Sequence, residues 1–344
     1  MVQFEVVMIF LIVIATIAIS LGLTHLVRKI AIKRNKFDIP NERSSHQNPT
    51  PRGGGVAVVT AFVFGLLALL IRGDIASDSF SAIVLPGLLV AIIGYLDDLG
   101  RVTATRLRLI GHFVAAIIAL YILDGLPPMP LFSATIDIGF VGNIIAVLFL
   151  VWMLNLFNFM DGIDSITGVE TLTSCLILTI FLINKSETEL SRVSALLCAA
   201  VIGFLYFNWP PARIFLGDIG SGFIGFTIGT ISLVIARSQP LMTWAVIVLL
   251  GVFIVDATVT LMRRLIDKQQ ISSAHRSHAF QHLANSADQH LKVSLSIAAV
   301  NILWLAPIAW LVVDERILPI FGVVVAYTPL LVLAIYFKAG KTTD

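Results

Sequence analysis

Eleven long apolar runs, separated by short polar segments, take up most of this chain. They lie near 4–27, 54–71, 81–96, 109–123, 138–156, 169–184, 193–207, 219–236, 241–262, 293–313 and 317–337. A helix of this length and character crosses a hydrocarbon core of about 30 Å. Several runs are short or contain Gly or Pro, as at Pro86. The pattern predicts an all-α polytopic integral membrane protein with about eleven transmembrane helices. Composition agrees, since 58% of the 344 residues are hydrophobic, 13% are charged and the mean hydropathy is +0.95. That is too apolar for a soluble globular protein. With no internal repeat or low-complexity tract, residues 1–344 read as one transmembrane domain.

Charge then suggests an orientation. Arg28, Lys29, Lys33, Arg34, Lys36, Arg43 and Arg52 all fall in the first loop, which the positive-inside rule places in the cytoplasm. Eleven spans then put the N-terminus outside and the C-terminus in the cytoplasm. By that scheme 18 of the 23 Lys and Arg are cytoplasmic, leaving Arg72, Lys185, Arg192, Arg237 and Arg316 outside. The first run follows no basic residue and is too long for a signal-peptide core, so it is expected to be retained. Cys175 and Cys198 fall within spans, where they behave as small apolar groups. The net charge of +2 says little about partners, and no nucleic acid is expected among them.

The polar chemistry is concentrated in the cytoplasmic loops, near 28–53, 97–108, 157–168, 208–218 and 263–292. The third holds Asn155-Leu-Phe-Asn158-Phe-Met-Asp161-Gly-Ile-Asp164-Ser165. If the preceding helix continues, Asn158, Asp161 and Asp164 share one face. Like charges so spaced weaken a helix by about 0.2–0.5 kcal/mol, which calls for a metal or for open water. The first loop ends Arg43-Ser-Ser-His46-Gln-Asn-Pro49-Thr-Pro-Arg52-Gly-Gly-Gly55. Its glycines and the helix start behind them read either as a phosphate-handling corner or as a flexible linker. Asp97 and Asp98 stand among Arg101, Arg106 and Arg108, a pair suited to a divalent cation or to a base, or else salt-bridged.

The fourth loop brings Arg213, Phe215 and Asp218, with Gly217, Gly220 and Gly222 leaving room for a ligand or for close helix packing. In the fifth, a helix would align His275, His278 and His282 beside Arg276, as donors for a phosphate rather than as a zinc site, because neither Glu nor Cys accompanies them. The outer loops carry acids in no site-like combination. Within the spans Asp256 alone stands out as ionisable, whereas a transporter usually needs such groups near the midplane. Acids interleaved with Arg and His at one interface fit phosphoryl transfer, in which an anionic nucleophile approaches an anionic diphosphate.

Pro49-Thr-Pro-Arg-Gly-Gly-Gly55, Asp97-Asp98, Asn155 to Asp164, Phe215-Leu-Gly-Asp218-Ile-Gly-Ser221 and His275-Arg-Ser-His278-Ala-Phe-Gln-His282 together resemble the polyprenyl-phosphate N-acetylhexosamine-1-phosphate transferases over nearly the whole chain. The last motif looks most like the WbpL branch, which starts O-antigen assembly. The resemblance implies Mg2+-dependent transfer, with Mn2+ as a substitute, of a sugar 1-phosphate from a UDP-N-acetylaminosugar to undecaprenyl phosphate, releasing UMP. It implies a multi-pass protein of the bacterial inner membrane with a cytoplasmic active site, and leaves a homodimer open. Asp218 and Asp161 are then metal ligands, while Asp97 or Asp98 deprotonates or places the lipid phosphate. Asn158, Asp161 and Asp164 meet nucleotide or metal, Phe215 stacks on uracil, and Arg52, His275, Arg276 and His278 hold the diphosphate.

Two departures narrow this reading. Ser165 stands where the family usually has a second glycine, and the histidine loop lacks the consecutive histidines of the MraY branch, which argues for a small aminosugar such as GlcNAc, FucNAc or QuiNAc. The rival classes are a transporter of lipid-linked or nucleotide sugars and a CDP-alcohol type phosphotransferase, whose run of aspartates on one helix is absent. The topology predicts that a C-terminal tag on intact cells is closed to external labelling. Labelling from outside refutes it.

Overall fold

The structure, a computed structural model, describes residues 2–40, 45–46, 48–101, 104–131, 134–269, 275–284 and 287–341. Helices dominate: α1 (Val2–Lys33), α2 (Gly55–Arg72), α3 (Ser77–Asp98), α4 (Thr105–Ile122), α5 (Gly139–Met160), α6 (Ile166–Asn184), α7 (Thr188–Asn208), α8 (Asp218–Ala236), α9 (Pro240–Leu249), α10 (Gly251–Ile266), α11 (Ala279–Leu283), α12 (Ala287–Val300), α13 (Ala306–Val313) and α14 (Pro319–Tyr336). A π-helical turn, Asn301–Leu305, joins α12 to α13. Two short antiparallel pairs complete the described structure, β1 (Phe37–Asp38) with β2 (Thr50–Pro51), and β3 (Met129–Leu131) with β4 (Ala134–Ile136). Among the described residues ten helical stretches are each long and apolar enough to cross a membrane, and the bent pair α9 and α10 makes eleven when counted as one broken span.

The ninth span is broken where the hydropathy pattern runs on unbroken. Its two halves bend by 65°. Gly251 lets the Tyr327 ring press into the break, where an added Cβ would lie 2.9 Å from Tyr327 Cε1. Tyr327 Oη also donates to Ile247 O at 2.5 Å, the carbonyl that the Gly251 N–H would take in a continuous helix. A kink of this size needs such a replacement partner in an apolar surround.

Helix α8 is the axis of the bundle, with every residue of its apolar window buried. Small residues let backbones come unusually close to it, as is common in membrane helix packing. An added Cβ would lie 2.4 Å from Gly220 N at Gly55, 2.6 Å from Asp218 O at Gly94, and 2.3 Å from Met153 O at Gly225. The N-terminus of α8 is therefore clasped by the start of α2 and the end of α3. Close packing, not ligand room, accounts for Gly220.

Three expectations need correction. Helix α5 ends at Met160, so Asn158, Asp161 and Asp164 do not share a helical face; residues 161–165 form a turn that ends with Ser165 at φ 63°. The histidines do not share one either, because α11 holds only Ala279–Leu283 and His275 and His278 precede it. Asp256 is also not alone within the spans, since Glu170 in α6 is fully buried. At the opposite end two of the acids are spent on ion pairs, Asp74 with Arg72 (2.7 Å) and Arg192 (2.9 Å), and Asp78 with Arg237 (2.9 Å).

Gly55→Ala is expected to push α2 off α8 and to cost about 2 kcal/mol. Gly22→Ala, at a position with open space around it, serves as control. Thermal unfolding in detergent checks the pair, and equal midpoints would contradict the close-packing account.

Candidate active site

The site is built on the first turn of α8. Asp98, the last residue of α3, sets its carboxylate against that turn: Oδ1 accepts from Asp218 N (3.1 Å) and Oδ2 from Ile219 N (3.2 Å). An anion here satisfies helix N–H groups that have no intrahelical partner. Gly217 at φ 79° leaves space for it, since an added Cβ would lie 2.6 Å from Asp98 Oδ2. Arg52 bridges two carboxylates, with Nε 3.0 Å from Asp98 Oδ1 and Nη2 2.5 Å from Asp218 Oδ1. Arg108 pairs with Asp97 and lies 3.9 Å from Asp218 Oδ2. Burial would lower the pKa of Arg52, but Asp218 and Asp98 outweigh it and raise it.

Backbone pairing delivers Arg52 to this place. Phe215 N donates to Pro51 O (2.8 Å), while Gly54 N donates to Phe215 O (2.9 Å) and Gly55 N to Leu216 O (2.8 Å). The glycine N–H groups are thus taken, and the expectation that they would greet a phosphate is not met. The first loop contributes a side chain instead. Arg43 lies outside the described residues.

Arg52, Asn158, Asp161, Asp164, Phe215 and Asp218 line one cavity of about 190 Å³, joined by Asp38, His46, Asn208, Gln281 and His290. Phe215 is half-buried, with the His46 ring edge-on at 4.8 Å. Burial pushes the Asp161 carboxyl up to about 7, against the opposing effects of Thr167 and Arg52. An added cation would be favoured there. Asp164 is already engaged, its Oδ2 accepting from Ala212 N (3.0 Å) and lying 3.4 Å from His290 Nδ1. Ser165 holds its left-handed conformation through Ser165 N to Asn208 Oδ1 (2.9 Å) and its hydroxyl 3.0 Å from Ser294 Oγ.

His275, Arg276 and His278 do not line this cavity. His278 is buried with Nδ1 3.3 Å from Asp256 Oδ1, and Asp256 also accepts from Ala279 N (3.0 Å) and Phe280 N (3.1 Å). Burial lowers the His275 pKa to about 4, which leaves it neutral near pH 7. Arg276 donates to Ala284 O (3.2 Å). What the loop presents to the cavity is Gln281, which packs with Phe280 against Gly162. The alternative that Asp97 is salt-bridged is met by Arg108, whereas sequence reasoning gave no role to Asn208, Gln281 or His290. Asn208 and His290 carried a usable signal, being polar side chains at the ends of apolar runs.

Among the described residues no three His, Cys, Asp or Glu side chains form a group that could hold a metal ion unaided. Mg2+ seldom has such a cage, and is usually held by one or two carboxylates, waters and substrate phosphates. Asp161 and Asp218 supply two hard oxygen donors on one cavity, which fits that mode.

Residues 80–236 match glycosyl transferase family 4, a stretch that holds Asp97, Asp98, Asn158, Asp161, Asp164, Phe215 and Asp218. The chain is 30% identical over 267 residues to the probable undecaprenyl-phosphate N-acetylglucosaminyl 1-phosphate transferase of Bacillus subtilis, covering 76% of this chain and 73% of that protein. It is 30% identical to the decaprenyl-phosphate N-acetylglucosaminephosphotransferase of Mycolicibacterium smegmatis, covering 61% and 55% respectively. It is 26% identical to the phospho-N-acetylmuramoyl-pentapeptide-transferase of Bacillus licheniformis, covering 62% and 68%.

Asp98→Ala leaves two N–H groups of α8 unpartnered and Arg52 half-paired. It is expected to cost about 3 kcal/mol, read as a lower unfolding midpoint. An unchanged midpoint would remove Asp98 from its organising place.

Proposed function

The chain belongs to glycosyl transferase family 4, among the polyprenyl-phosphate sugar-1-phosphate transferases, and on that premise we propose that it transfers an N-acetylaminosugar 1-phosphate from a UDP-sugar to undecaprenyl phosphate, releasing UMP. The observation that carries this reading is the placement of Asp161, Asp218 and Arg52 on one small polar cavity at the N-terminus of α8. In the proposed reaction an oxygen of the lipid phosphate forms a bond to the phosphorus that bears the sugar. The bond from that phosphorus to UMP breaks, and its electron pair stays on UMP. A lipid phosphate is ionised at neutral pH, so no protein base is required.

Asp161 and Asp218 would hold Mg2+, or Mn2+ in its place. When bound, the ion supplies positive charge against the negative charge that builds on the leaving phosphate. Arg52, held between Asp98 and Asp218, adds a fixed cation beside the diphosphate. Arg108 and Asp97 form the side of the site given to the lipid phosphate. Asn158 and the open side of the Phe215 ring receive the nucleotide. Asp164 shapes the floor, and the loop of His275, Arg276 and His278 supports that floor through Gln281. A cavity of about 190 Å³ suits the diphosphate, with uracil and sugar extending from it.

Placing this chemistry on the cytoplasmic face of the bacterial inner membrane follows from the basic loops. A role at the start of O-antigen or related cell-envelope glycan synthesis follows from the form of the histidine loop. The test is UMP release by the purified protein with undecaprenyl phosphate and UDP-GlcNAc, UDP-FucNAc or UDP-QuiNAc. Lipid-dependent UMP that disappears on chelation is expected, and Asp218→Asn should lower turnover by at least about 100-fold while the protein stays folded. No UMP from any donor, or full turnover by the variant, would contradict the proposal.

A further inference from the structure

A polar seam runs between α6 and α12, away from the cavity and into the apolar bundle. His290, Ser294 and Asn301 follow at intervals of four and seven, so they share a face. Each meets a polar partner on the segment 164–173. His290 Nδ1 lies 3.4 Å from both the backbone N and Oδ2 of Asp164. Ser294 Oγ lies 3.0 Å from Ser165 Oγ and donates to Asp164 O (3.2 Å). Asn301 Nδ2 donates to Glu170 Oε2 and to Thr173 Oγ1, both at 2.8 Å. Glu170 and Asn301 are both fully buried, and Asn301 opens the π-helical turn, a distortion often kept for a particular side-chain placement.

Hydrogen-bond accounting exposes what the seam needs. Glu170 Oε1 and Asn301 Oδ1 are both buried acceptors without a bonded donor, and the buried hydroxyl of Ser174, one turn along α6 from Glu170, also lacks a partner. Among the described residues Glu170 has no ion pair. In an apolar interior, unmet polar atoms and an uncompensated charge are both costly. A single proton on Oε1 removes the charge and makes a donor of one of the two orphan acceptors.

We propose that Glu170 is a positioning residue of the transferase site: as a neutral carboxylic acid paired reciprocally with the Asn301 amide, it locks α12 to α6 and so holds His290 and Ser294 under the 161–165 turn that carries Asp161. The part played by Asp161 rests on the transfer reaction proposed above. The clasp itself does not.

Two readouts separate these. The first needs no activity: Ser165→Cys and Ser294→Cys are introduced together into the full chain, and disulfide formation under oxidant is followed as loss of maleimide labelling after unfolding. Glu170→Gln, which mimics the neutral acid, is expected to leave the rate unchanged. Glu170→Leu should slow it about fivefold or more. The second readout is UMP release from UDP-GlcNAc and undecaprenyl phosphate in chains with native serines. Glu170→Gln should keep kcat within about twofold, whereas Glu170→Leu lowers kcat about tenfold with little change in KM for the nucleotide sugar. Asn301→Asp alone, which sets two acids side by side, should lower kcat, and the exchange Glu170→Gln with Asn301→Asp, which restores one acid and one amide, should recover it. If Glu170→Leu does not fold, Glu170→Gln and the exchange still decide. A Glu170→Gln chain that cross-links slowly or loses turnover shows that the carboxylate charge is required and overturns the proposal, as does a Glu170→Leu chain that cross-links at the native rate. A wild type that makes no UMP but cross-links as described refutes only the transfer reaction.

Discussion

The carboxylate of Asp98 at the N-terminus of α8 is the interaction on which the rest of the site depends. It meets two helix N–H groups and one edge of Arg52, so one buried anion fixes the start of the central helix and the main cation beside it. Three glycines make this geometry available: Gly217 leaves space for the carboxylate, and Gly55 and Gly94 bring α2 and α3 onto the α8 backbone. Asp218 then projects beside Arg52 because its own N–H is anchored. The adjacent acids of α3 thus divide their work, Asp98 building the site and Asp97 facing Arg108.

The remaining wall is made at a distance from that anchor. The 161–165 turn carries Asp161 toward the cavity, and its conformation is held from behind by Asn208, Ser294 and His290. Gln281 arrives on α11, whose N-terminus is capped by Asp256 of α10. The broken ninth span therefore serves the site indirectly: its buried acid orders the loop whose glutamine closes the cavity.

Much of the fold was legible because hydropathy alone decides which segments can cross a membrane, and the count and limits of the apolar runs match the helices within a few residues. The gathering of Arg52, Asn158, Asp161, Phe215 and Asp218 was legible for a related reason, since alternating spans bring every second loop to the same end. What escaped was local and three-dimensional. Nothing in the sequence marks α5 as ending at Met160, and Ser165 hides a left-handed turn that only glycine would have announced. The glycines of 53–55 suggested a ligand, yet their N–H groups bond to Phe215 and Leu216, segments more than 150 residues away. His275 and His278 were read as donors for a phosphate, but burial and the pairing of His278 with Asp256 give them a structural setting.

We propose that Asp161 and Asp218 bind a divalent cation together with the nucleotide diphosphate. Mn2+ binding to the purified protein, followed by electron paramagnetic resonance with and without UDP-GlcNAc, tests it most directly. The account predicts one site whose affinity rises with the nucleotide sugar and falls sharply when either Asp161 or Asp218 is changed to Asn. Mn2+ binding that is indifferent to both substitutions would contradict it.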